Sequence, residues 1–244
     1  MSPSTVRWGG IMVFVGIALV ILIPIGFVSA IGIEGMSRNA RAGAAIAPQM
    51  QMMSIVMNVV MAVVVSFVFY ATKGYFNALG YRRADIVIYL IIGTQILSAI
   101  IGAITNSSAG LSGILQAGGG QALGVVGVVA IVTGLVVLVA LLVFAIFAIS
   151  FGNVGGGIWK AIGILYLIGL LGMLIGIIIL MVTVGFALSG GTSAGAGAGG
   201  AVMASVLLIV GFLCYAAAII CHGIGLILGA GRMEREGNPA EVFD

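Results

Sequence analysis

The chain has 244 residues, of which 62% are hydrophobic and 6% charged, and its mean hydropathy is +1.36. Soluble domains carry about a quarter charged residues, so this chain lacks the polar surface to coat a water-facing globule, and lipid must be its solvent over most of its length. The net charge of +3 reads as membrane orientation, since no Lys/Arg run forms a basic patch and no nucleic-acid partner is expected.

Six apolar stretches reach the length of about 20 residues that crosses a bilayer: 8–33, 50–72, 86–105, 122–151, 161–188 and 201–230. They predict an all-α, polytopic transmembrane helical bundle of about six spans, forming a single transmembrane domain over 1–244. In the first span Arg7 precedes the apolar run, and Val28-Ser29-Ala30 offers the small residues of a signal-peptidase site. The run exceeds the usual signal-peptide core of about 7–15 residues, so a retained helix is expected. Pro24 removes a hydrogen bond to the carbonyl of Val20 and predicts a kink.

Cation placement sets the expected topology. Arg7, Lys73, Arg82, Arg83, Lys160, Arg232 and Arg235 fall on the side of the termini, and only Arg38 and Arg41 on the other. The positive-inside rule then puts the N and C termini in the cytoplasm of a multi-pass cell-membrane protein. The outward connections 106–121 and 189–200 contain no charge and are rich in Gly, Ser and Ala, a composition that reads as flexible loop. Asn106-Ser107-Ser108 is a glycosylation sequon beside the third span. Two inward corners share a pattern. Gly80-Tyr81-Arg82-Arg83-Ala84, leading to Tyr89, is matched by Gly157-Ile158-Trp159-Lys160-Ala161, leading to Tyr166. This suggests stacked hairpins of one origin, although the match is short.

Small residues let helix backbones approach in lipid, where hiding leucine gains little. Span two carries Ser54, Asn58, Ala62, Ser66 and Tyr70 at four-residue steps. Span five carries Gly172 and Gly176, and span six carries Gly211, Cys214, Ala218, Cys221, Gly225 and Gly229. These faces serve either packing within the bundle or contact with another subunit. Asn58, Thr94, Gln95 and Thr133 are the other polar groups at membrane depth, expected to bond between helices or to line a route for a small neutral solute.

Every Lys, Arg, Asp and Glu falls outside the apolar stretches or at their edges. This disfavours proton-coupled transport and intramembrane hydrolysis by paired acids. The single histidine, His222, follows Cys221, but neighbours on a helix diverge by about 100°. Cys214 and Cys221 stand about 10 Å apart along the axis, too far to share one metal unaided. Met53, Met57 and Met61 form a four-residue thioether ladder, and soft thioethers suit Cu(I); methionine is also an ordinary adaptable apolar residue. No cofactor is assigned.

The run Trp159-Lys160-Ala161-Ile162-Gly163-Ile164-Leu165-Tyr166-Leu167-Ile168-Gly169 resembles uncharacterised archaeal multi-span membrane proteins. The resemblance covers mainly the last third of the chain and implies no activity. The expectation is a non-enzymatic integral membrane subunit, with the lipid bilayer and other membrane subunits or copies of itself as partners. The alternative is a channel or carrier for a small neutral solute, or, further off, for Cu(I).

Overall fold

A bilayer core offers the backbone no hydrogen-bond partners, so a spanning segment must satisfy its own amides, and a helix does so. The computed structural model describes the backbone of residues 1–31, 40–106, 120–188 and 194–236, with side chains for 1–24, 51–104, 128–129, 132–183 and 199–235. In chain order the elements are α1 (Pro3–Ile31), α2 (Ala40–Ala78), a 3-10 turn (Arg82–Ala84), α3 (Asp85–Asn106), α4 (Gly120–Gly155), α5 (Gly157–Leu188) and α6 (Ala194–Glu236). No strand occurs among the described residues. Each of the six α-helices contains a segment long and apolar enough to cross a membrane. The protein is therefore an all-helical, multi-pass membrane protein. Arg38, Arg41, Val28-Ser29-Ala30, the sequon, connection 106–121 and residues 189–198 fall outside the residues with described side chains.

All six helices begin before the apolar stretch that predicts them. Hydropathy registers where lipid begins, whereas local chemistry decides where a helix begins. At α1, Ser2 is the cap: its Oγ accepts the Thr5 amide at 3.4 Å and its carbonyl accepts the Thr5 and Val6 amides. Pro3 follows at the first helical position, where its missing N–H costs nothing. The helix continues through Pro24 to Ile31.

The chain forms two compact units, one of Met1–Ala140 with Leu226–Asp244 and one of Leu141–Gly225. The divisions fall inside α4 and inside α6. In the first unit, α1 and α2 run antiparallel, with Gly9 against Ala71 and Gly16 against Val64. At Gly16 an added Cβ would stand 2.8 Å from Val64 Cγ1, so these glycines set the spacing. Val6, Val68, Phe76, Ile88 and Leu226 are buried at the core of this unit. Gly229 of α6 lies against the ring of Tyr75, and Arg7 of α1 pairs with Glu234 of α6 at 2.6 Å.

The corner between α2 and α3 closes by a motif that the sequence prescribes. Gly80 has φ +75°, a left-handed conformation natural to glycine. The Tyr81 amide donates to the Phe76 carbonyl at 2.9 Å and the Gly80 amide to the Asn77 carbonyl at 3.0 Å. The rings of Phe76 and Tyr81 meet edge-on at 5.8 Å. This is a Schellman motif with its apolar contact. Asn77 then donates its side-chain amide to Asp85 Oδ2 at 3.2 Å, tying the corner to the first turn of α3.

The corner between α4 and α5 is shorter. Gly156, with φ +103°, is the single residue between the two helices. The two corners thus both turn at a positive-φ glycine, but the second is Gly156, whereas Gly157 of the sequence match lies within α5. The matched tyrosines also differ: Tyr89 is exposed and Tyr166 is buried.

Candidate functional site

Three helix segments of the Leu141–Gly225 unit each carry two rings seven residues apart: Phe144 and Phe151 on α4, Trp159 and Tyr166 on α5, and Tyr215 and His222 on α6. Seven residues make about two turns, so both members of each pair share a face. The faces converge on His222, which is 1% exposed. Phe144 stacks on the imidazole at 5.7 Å with planes 22° apart, and Trp159 meets it edge-on at 5.4 Å. The stack extends through Phe151 against Trp159 and Tyr215 against Tyr166, each at 5.5 Å.

The polar tips inside this cluster meet each other. Tyr166 Oη and His222 Nδ1 are 3.2 Å apart, with donor and acceptor set by the imidazole tautomer. A buried hydroxyl and a buried ring nitrogen each need a partner, and here a bond between α5 and α6 supplies one for both. The arrangement joins three helix segments by edge-on and stacked ring contacts, each adding about 0.5–1.5 kcal/mol beyond burial.

Glycines beyond the ring cluster hold α5 and α6 close together. Moving up α5 from Trp159 to Thr183, the α6 partners descend from Gly225 to Gly200, so the helices are antiparallel. Gly225 lies against Ile162 and Trp159, Gly169 against Tyr215 and Gly211, Gly172 against Gly211, and Gly176 against Leu208. A Cβ on Gly211 would stand 2.7 Å from the Met173 backbone nitrogen and 3.0 Å from the Gly169 carbonyl oxygen. Ala204, Gly211, Ala218 and Gly225 recur every seven residues on α6 and are all buried, whereas Cys214 and Cys221 are half-buried free thiols. Gly229 belongs to the other unit, against Tyr75.

On α2 the four-residue stripe does not keep to one environment. Ser54 is half-buried. Asn58 is exposed overall, although its amide nitrogen would stand 2.8 Å from a Cβ at Gly102. Ala62 and the Ser66 hydroxyl are buried, and Tyr70 is exposed. A step of four residues turns about 400°, so the stripe drifts by about 40° each time and winds off the contact. Met53, Met57 and Met61 are half-buried along the same helix.

The hydroxyls at membrane depth bond largely to their own helices, a correction to the expected interhelical bonding of Thr94. Thr94 Oγ1 donates towards the Leu90 and Ile91 carbonyls at 2.8 and 2.9 Å. Thr72, Thr183 and Ser205 each donate to the carbonyl four residues back at 2.8 Å. That carbonyl is the nearest acceptor available without water. Thr133 is buried and Gln95 half-buried.

Sequence reasoning singled out His222 but missed the five rings around it and Gly169. The signal was present: a shared spacing of seven, and a glycine three residues before Gly172. Among the described residues, no three His, Cys, Asp or Glu side chains converge as a metal site. Fold and cluster together define a multi-pass helical membrane protein with an aromatic helix clamp. No protein family, curated protein or solved structure matches the chain.

Proposed function

We propose that this chain is a non-enzymatic integral membrane subunit that assembles with copies of itself or with other membrane subunits. It lies in the cell membrane with both termini cytoplasmic. The observation that carries the reading is the exposed face of α4. Val128, Val132, Leu135 and Val139 are all exposed there, at steps of four, three and four residues, and Gly134 beside them faces open space. Glycine offers lipid no side chain and costs a helix about 1 kcal/mol relative to alanine. Close approach by another helix gives such a residue a use, and alternating steps of three and four residues keep the exposed seam on one side of the helix.

The non-enzymatic reading is supported by the use made of His222, whose ring is packed among aromatics and whose Nδ1 is engaged by Tyr166. The orientation is supported by the Arg7–Glu234 pair, which brings the start of α1 beside the end of α6, within the cation-rich set expected on the inner side. Native mass measurement of particles taken from native membranes into nanodiscs tests the assembly. A particle heavier than one chain is expected, and Gly134→Leu is expected to shift it towards the monomer. A strictly monomeric wild-type particle overturns the proposal.

A further inference from the structure

We propose that the exposed face of α3, with the cations at its first turn, is a binding site for an anionic phospholipid. Arg82 and Arg83 are exposed in the 3-10 turn directly before α3. Lys73 of α2 reaches the same corner, with its ammonium 4.7 Å from the centre of the Tyr89 ring. Among the described residues none of these three cations is in an ion pair. Arg83 and Tyr89 are six positions apart, about 9 Å along a helix axis, so one phosphate lies within reach of these long side chains together.

The one carboxylate described at this corner, Asp85, acts on Lys73 through space but forms no ion pair with it. Asp85 Oδ2 accepts the Asn77 amide, and Asp85 Oδ1 is shielded from solvent. Three positive charges therefore meet one inward-turned acid. The phenol of Tyr89, 54% exposed, provides a donor beside them.

Directly along α3 the surface becomes apolar. Ile86 is 80% exposed, and Leu90, Leu97 and Ile100 follow on the exposed side. Gly93 lies among them with open space where a Cβ would stand, which leaves a shallow notch. Cations first and an apolar groove after them is the order of a phospholipid, headgroup and then acyl chain. Cations beside a membrane surface attract anionic headgroups in this way.

Charge decides the occupant. Asp85 and Glu234, the two acids with described side chains, are both engaged, the first turned inward and the second paired with Arg7. An anionic headgroup supplies the missing charge, and its phosphate accepts bidentate bonds from arginine.

The test is native mass spectrometry of the full chain, titrated with phosphatidylglycerol or with phosphatidylcholine of the same acyl chains. Each neutralised cation should weaken headgroup attraction by about five-fold. Wild type is expected to retain phosphatidylglycerol at least about ten-fold more tightly than phosphatidylcholine. In K73Q/R82Q/R83Q that preference should fall at least about ten-fold, with thermal unfolding unchanged, because all three residues sit at the surface. R82K/R83K should keep most of the preference, and K160Q, at the other corner, all of it. Equal retention of the two lipids by wild type overturns the proposal. So does an unchanged preference in the triple variant, or a second chain in place of the lipid.

Discussion

Glycine's role in this protein depends on what stands opposite each one. At Gly211 the opposing atoms are backbone, with Met173 N and Gly169 O within 3.0 Å of any added Cβ. Backbone cannot swing aside as a side chain can, so Gly211→Ala must separate α5 from α6. A loss of about 1–3 kcal/mol is expected, the range for overpacking a tight contact. Gly231, near the end of α6, has nothing within 4 Å of that position. Gly231→Ala should then be neutral, or stabilising by up to about 1 kcal/mol through helix propensity. Equilibrium unfolding in mixed micelles reads both, and equal effects would sink the claim that the opposing backbone decides.

The ring cluster allows a graded version of the same comparison. Tyr166→Phe removes only the hydroxyl bonded to His222 Nδ1. Interhelical bonds of this kind contribute about 1 kcal/mol or less in lipid. His222→Ala empties the centre of the cluster and also removes the contacts of Phe144 and Trp159. A loss of about 3 kcal/mol is expected, as for other large buried rings. If the two variants unfold alike in the same assay, the hydrogen bond and not the packing holds the cluster. His222 was legible in the sequence as the single imidazole. Its neighbours were marked only by their shared spacing of seven, which puts each pair on one face but does not say that the three faces meet.

At the scale of elements, the six spans were legible because hydropathy and backbone satisfaction demand the same thing, a helix of about 20 residues or more. The starts of those helices were less legible, since Ser2 and Pro3 act through capping chemistry that apolarity does not register. The α2 stripe winds, because its four-residue step drifts round the helix, whereas Ala204, Gly211, Ala218 and Gly225 keep to one side of α6 by repeating every seven. The α2–α3 corner gives an element-level prediction. Gly80 holds φ +75° with the Schellman bonds on either side, so Gly80→Ala places a Cβ in the left-handed region at about 1–2 kcal/mol. Gly80→Asn should cost less, because asparagine tolerates that region. Unfolding measurements that rank asparagine below alanine would reject the motif as the source of the cost.

At the scale of the whole molecule, the Arg7–Glu234 contact joins the beginning of α1 to the end of α6 but is a weak candidate for setting orientation. Its side chains are 45% and 44% exposed, and such pairs contribute about 0–1 kcal/mol after screening. Orientation follows instead from the distribution of Lys and Arg over the connections as the chain inserts. Breaking the pair should therefore leave the topology unchanged. In a background with Cys214→Ser and Cys221→Ser, single cysteines placed at Ser4 and Arg235 are expected to react with an impermeant maleimide only after the membrane is opened. Adding Glu234→Ala should leave that pattern as it was. Labelling of either position in sealed cells would place the termini outside, whereas a pattern altered by Glu234→Ala alone would give the ion pair the directing role assigned here to the cations.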